Sequence, residues 1–253
     1  MKAEPVHQVR LLDLQEIDAA LDRLKHRART IPEIAEVKEL DVRIVALRDQ
    51  VAVAETALRD LDREQRKAES DVDQVRVRSD RDARRLETGQ VSSPKELEGL
   101  QSEIVSLQRR QAELEEIVLD VMERQELAQA RRADIEKELV ALTAEREAAE
   151  DRRSEAILEI RADADSTNQR RERVAAEIPE DLRALYLKLR EQQGGVGAAA
   201  LRYGRCEGCK LALSTAELSQ IRSAPADEVL RCEDCRRILV RTNESGLSGP
   251  VQE

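Results

Sequence analysis

The chain has 253 residues, a formal net charge of −10 at pH 7 and 38% charged residues, with no Phe or Trp and only Tyr186 and Tyr203 as aromatics. This composition excludes a large aromatic-filled core and fits long helices whose apolar stripes meet in a narrow seam. The acidic balance argues against a protein dedicated to coating nucleic acid, because phosphate binding needs concentrated Lys and Arg, although local patches stay open to it.

No stretch near the start has the basic, apolar, small-residue order of a signal peptide, and no apolar run approaches the roughly 18 residues of a membrane span. A cytoplasmic location is therefore expected. In a reducing compartment the four cysteines read as metal ligands or redox groups rather than disulfides.

The first expected element is a helix over 9–29, with Leu14, Ile17, Leu21 and Leu24 on one stripe. Pro32 cannot donate a backbone hydrogen bond and biases Ile31 away from helix, so the helix breaks or kinks there. His7 and His26 fall in this region, far in sequence from the cysteines, and read as surface residues.

Stepping alternately three and four residues from Val37 to Leu86 meets twelve apolar residues in fifteen positions. The same stepping from Leu97 to Ile160 meets fourteen in nineteen. Both are heptad seams of period 3.5. Between them lies ETGQVSSPKE, residues 87–96, where Gly89 can take positive φ and Ser93 can cap a helix that starts at Pro94 with Glu96 three residues after the cap. The capped turn favours an antiparallel hairpin over a dimer, although the seam by itself allows monomer or dimer. Facing Leu86 with Leu97 sets Leu61 near Val121 and Val37 near Arg146, and lays 9–29 beside 154–174. Residues 37–86 would span roughly 75 Å as helix.

Near the turn, Arg76, Arg78, Arg81, Arg84, Arg85 and Lys95 outnumber Asp80, Asp82 and Glu87. Ser79 and Asp82 interrupt the seam here, so a less tightly zipped tip is expected. The basic tip is a candidate contact for an acidic protein surface or nucleic acid, set against the ordinary reading of a solvated charge run.

Residues 179–195 read as a connecting helix with Leu182, Leu185, Tyr186 and Leu189 on its apolar face, and Gly194, Gly195 and Gly197 read as its stop and a hinge. Short strands follow at Ala198–Arg202, Val229–Leu230 and Ile238–Val240. Within 196–242 lie Cys206, Cys209, Cys232 and Cys235, two CxxC pairs separated by 22 residues. Two thiolates on one tight turn can reach one ion, and two such turns complete a tetrahedron. The long spacing accommodates a helix capped by Ser214 with Glu217. One structural zinc is expected, since four cysteines leave no coordination position for water or substrate; a redox dithiol and iron are the alternatives weighed. Residues 243–253 read as a disordered tail.

Arg202, Arg231, Arg236 and Arg237 give the ribbon a candidate partner-binding face. Residues 196–253 nonetheless carry eight basic and eight acidic residues, and Tyr203 alone offers little base stacking. No phosphate-binding glycine loop, nucleophile motif or catalytic triad is present, so no enzyme is expected.

Taken together, LLDLQEIDAALDRL, SPKELEGLQSEI, IPEDLRALY, GRCEGC and RCEDCRRILV make the chain resemble bacterial coiled-coil proteins with a C-terminal C4-type zinc ribbon. The resemblance implies a mainly α fold, with a kinked antiparallel coiled-coil hairpin over 1–178 and a ribbon ligated by the four cysteines. It also implies an adaptor role, in some bacteria linked to flagellar or secretion components, an alternative sigma factor, or RNA. A non-enzymatic protein-binding adaptor is the leading expectation. RNA or DNA binding, or association with transcription, is the alternative. Lys210 and Arg236 stand where commoner knuckles have glycine, so less regular knuckles are expected.

Overall fold

A computed structural model describes residues 1–247. Helix α1 spans Pro5–Thr30, α2 Pro32–Glu87, α3 Pro94–Ala176, α4 Glu180–Gln192 and α5 Thr215–Ser223; the strands are β1 Ala198–Arg202, β2 Arg205–Cys206, β3 Leu230–Arg231 and β4 Ile238–Val240. Two compact units result, one of residues 35–150 and one of residues 1–34 with the chain from 151 onward. Ile31 is extended at φ −60° and ψ 138°, which ends α1 where Pro32 was expected to break it.

The unit 35–150 is an antiparallel helical hairpin. Ion pairs join α2 to α3 along its length: Asp41–Arg146 at 3.1 Å, Glu55–Arg132 at 3.5 Å, Glu64–Arg124 at 3.1 Å, Arg78–Glu103, and Arg85–Glu96 at 3.6 Å. Arg146 thus meets Asp41, one turn beyond the Val37 expected from the turn alone. Val37, Leu40, Ile44 and Leu47 cluster with Leu142 and Ala149. The turn has Gly89 at φ 67°, and the amide of Glu96 donates to Ser93 Oγ at 3.3 Å. Glu96 reaches back to the amide of Ser92, not of Ser93. Ser79 and Asp82 do not open the tip as expected, because both are buried in the seam they were thought to interrupt.

In the other unit, α1 lies beside the end of α3. Arg171 Nε donates to Asp18 at 2.5 Å, and Arg10 pairs with Glu177 at 2.9 Å. Leu11, Leu14, Ala175, Ile178, Leu182, Tyr186 and Leu189 form one core with Ala198, Ile238 and Val240. The ribbon expected over 196–242 is therefore packed on the helical residues that precede it. The strands share their core with α1, α3 and α4 because that face of so small a sheet has no other cover.

At the centre of this core Asp18 is 2% exposed, accepts from Tyr186 Oη at 2.7 Å, and lies 3.4 Å from Arg190. Burial, with the adjacent Asp18, pushes the Tyr186 phenol well above its ordinary value and keeps it a donor. The glycine segment expected as a hinge is held at two points, since Gln15 donates to Gly195 O at 3.0 Å and accepts from the Gly197 amide at 2.7 Å. A Cβ on Gly197 would stand 2.5 Å from Tyr186 O, so glycine serves close approach here. The first residues join the ribbon edge, with the amide of Ala3 donating to Asp227 O at 2.7 Å and that of Val229 to Met1 O at 3.1 Å.

Asp18→Ala, which leaves its arginine and tyrosine partners uncompensated, should destabilise the protein by about 3–5 kcal/mol. Tyr186→Phe should cost about 1.5–3 kcal/mol, as for a bond to a charged group. Chemical denaturation of the zinc-loaded chain measures both.

Candidate metal centre

The sheet order is β2-β1-β4-β3, with β1 parallel to β4 and the other pairs antiparallel. Side chains alternate across it. Ala198, Ile238 and Val240 face the helical core, while Ala199, Leu201 and Leu239 join the cluster holding Cys206, Cys232, Leu213 and Ile221. α5 covers part of this second cluster and begins at the expected capping box, in which Ser214 accepts from the amide of Glu217 and Glu217 from that of Ser214.

Each cysteine pair lies in a knuckle of the same plan. The amide of Cys206 donates to Leu211 O at 3.0 Å, and that of Lys210 to Cys206 O at 2.7 Å. In the second knuckle the amide of Cys232 donates to Arg237 O at 3.0 Å, and that of Arg236 to Cys232 O at 2.9 Å. Lys210 and Arg236 have φ 65° and 62°. The less regular knuckles expected without glycine do not appear; both residues take the left-handed conformation glycine would have supplied, at a cost on the order of 1 kcal/mol each.

The four sulfurs lie within 4.8 Å of one another. Cys206 Sγ is 3.8 Å from Cys235 Sγ, and Cys209 Sγ is 3.9 Å from Cys232 Sγ. A tetrahedron of Zn–S bonds of 2.3 Å has edges of about 3.8 Å, so the donor set fits one zinc ion and fills its coordination. This is a structural C4 site with no position for substrate.

Without metal, burial pushes the Cys232 thiol up to about 12 and also raises that of Cys206. Burial opposes ionisation of Cys235 too, but the amide and guanidinium of Arg237 and the sulfurs of Cys232 and Cys209 bring it down to about 7. Arg237 also donates to Val196 O at 3.0 Å and Gln193 O at 2.9 Å, and its Cδ lies where a Cβ on Gly208 would come within 2.7 Å. Arg237, expected on a partner-binding face, is instead a half-buried support of the metal site.

The other expected contact residues fare differently. Arg202 pairs with Glu244 at 2.6 Å, Arg231 donates to Arg236 O at 2.8 Å, and Arg236 is exposed. At the hairpin tip Arg78 and Arg85 hold the cross-helix ion pairs described above, and Arg81 lies 3.5 Å from Asp82. Arg76, Arg84 and Lys95 are exposed and form no ion pair among the described residues. Residues 243–247, expected as part of a disordered tail, pack against the ribbon. Ser245 is buried, and its Oγ donates to Leu201 O at 3.1 Å; residues 248–253 lie outside the described residues.

Sequence reasoning missed Arg241, which donates to the carbonyls of Ile221, Ala224, Pro225, Ala226 and Glu228 and so closes the end of α5. No local pattern marks such a clamp, because the carbonyls come from any residue type.

Residues 14–194 match the model of the CT398-like coiled coil hairpin domain, and residues 205–239 that of the C4-type zinc ribbon domain. An uncharacterized Mycobacterium tuberculosis protein is 39% identical over 241 residues, covering 95% of this chain and 98% of its own. A solved Mycobacterium smegmatis structure is 36% identical, with a TM-score of 0.84 over 96% of this chain and 100% of its own. The structure of CT398 from Chlamydia trachomatis shares the fold, with a TM-score of 0.70 and 19% identity over 93% of this chain and 98% of its own. Among the described residues no helix is long and apolar enough to cross a membrane.

Zinc must displace the protons of Cys206 and Cys232 at pH 7, so affinity should rise with pH and fall on acidification. Calorimetric titration in buffers of different ionisation enthalpy should find about two or more protons released per zinc. Arg237→Ala should weaken zinc binding by about 10- to 100-fold in a chelator competition, as expected for loss of an outer-shell support.

Proposed function

From a chain that belongs to the CT398-like coiled-coil hairpin family and carries a C4-type zinc ribbon, we propose a non-enzymatic adaptor that works in the cytoplasm. Its ribbon and hairpin tip supply contacts for protein partners. The observation that carries this reading is the closed metal centre built into a helical base. Four thiolates leave the ion no reactive position, and the shared core with α1, α3 and α4 makes the ribbon a rigid platform.

Arg76, Arg84 and Lys95, exposed and without an ion pair among the described residues, support the tip as a second contact, suited to an acidic surface. They also favour the alternative, RNA or DNA binding in association with transcription. Against it, Arg237 and Arg241 are engaged with main-chain carbonyls, which thins the basic face of the ribbon.

Site-specific cross-linking in cells from position 84 and from position 236 separates the two. The adaptor reading expects recurrent protein adducts at both positions, and no binding of a single-stranded RNA or a DNA duplex by the purified chain at about 50 mM salt, where phosphate contacts are strongest. Recovery of nucleic acid alone would overturn it.

A further inference from the structure

Tyr203 and Gly204 form the two-residue turn between β1 and β2, in which Leu201 faces Cys206 and Arg202 faces Arg205. Both turn residues have positive φ, 48° for Tyr203 and 72° for Gly204. Positive φ at both central residues defines the type I′ turn, whose first position favours Asn, Asp or Gly. An aromatic side chain there is strained, and burial does not account for it: Tyr203 is 73% exposed, whereas Tyr186 is fully buried.

The surrounding chain holds this turn in place. The amide of Tyr203 donates to Glu244 O at 2.7 Å and that of Gly204 to Ser245 O at 3.1 Å, while Gly204 O accepts from the amide of Leu213 at 2.8 Å. Ser245 is itself anchored, since its Oγ accepts from the amide of Thr242 at 2.7 Å as well as donating to Leu201 O. The strand segment beside β2 adds Leu211, a large apolar side chain 53% exposed. Arg205, across the pair from Arg202, is exposed and forms no ion pair among the described residues.

Building on the adaptor reading, we propose that Tyr203 is the anchor of the ribbon's docking surface, with Arg205 and Leu211 beside it. The partner is an acidic protein segment in which carboxylates alternate with apolar side chains, the carboxylates meeting Arg205 and the apolar side chains meeting Tyr203 and Leu211. Tyr and Arg dominate binding energy at interfaces, and a turn whose backbone is already fixed by its bonds to Glu244 and Ser245 loses little freedom on docking. Nucleic acid fits less well. One aromatic stacks one base, and the nearby cations Arg202 and Lys210 are already paired with Glu244 and Glu207, so no track of free cations follows a phosphate backbone.

The chain has no Trp or Phe and only two tyrosines, so iodide quenching of intrinsic fluorescence reports on the exposed Tyr203. The zinc-loaded full chain is titrated with three probes: a peptide alternating Asp or Glu with Leu, its Lys counterpart, and a single-stranded RNA of the same length. The acidic peptide should shield Tyr203, and labelled acidic peptide should bind Tyr203→Asn or Arg205→Glu at least about tenfold more weakly, as for loss of a hot spot. Tyr203→Asn, which relieves the turn, should at the same time raise the melting temperature by about 2–4 °C. Shielding by RNA alone, equal binding by Tyr203→Asn, no shielding by any probe, or a lowered melting temperature would each overturn the proposal. Shielding by RNA alone would also count against the adaptor reading, whereas the other three outcomes leave that reading to the cross-links from positions 84 and 236.

Discussion

A sheet of four short strands has two faces and too few residues to cover either. Here each face is closed by something the sheet does not supply. One lies on the helices, through Ala198, Ile238 and Val240; the other lies on the cysteine cluster and α5, through Ala199, Leu201 and Leu239. The parallel pairing of β1 with β4 accords with this double burial, since parallel strands are found where both faces are covered. The metal supplies what a segment of this size cannot gather from apolar area alone.

The helical side of that arrangement is held by polar contacts as well as by apolar packing. Asp18, buried on α1, draws together Arg171 of α3 and Tyr186 and Arg190 of α4. Gln15, three residues earlier on the same helix, engages the backbone on either side of Val196 just before β1 begins. One helix near the start of the chain thus fixes where the strands begin. The metal site is tied to the same place, because Arg237 reaches from beside Cys235 to the carbonyls of Gln193 and Val196.

Features that repeat locally were legible in the sequence. The two seams from Val37 and Leu97, the break at Pro32, the capping box at Ser214 and the doubled CxxC each follow from spacing that neighbouring residues enforce. The merging of ribbon and helical base was not legible, because it joins segments more than a hundred residues apart, and Ala198 or Ile238 looks the same whichever surface it meets. Ser79 and Asp82 misled for a related reason: residue type alone does not say that a polar side chain is buried in a seam. The knuckles misled in the opposite direction. Glycine is the cheapest residue at positive φ, but the bonds from Lys210 to Cys206 and from Arg236 to Cys232 hold a bulkier residue there.

The alternation along β4 has a consequence for how the chain finds its register. This strand is three residues long, and hydrogen bonds over that length discriminate poorly between neighbouring alignments. A slip by one residue would turn Leu239 toward the helices and Ile238 and Val240 toward the sulfurs. It would also carry Cys232 and Cys235 away from Cys206 and Cys209, since the second knuckle is continuous with β3 and β4. Metal binding and helix packing thus proofread the same alignment from opposite sides, and a strand too short to specify itself is specified twice.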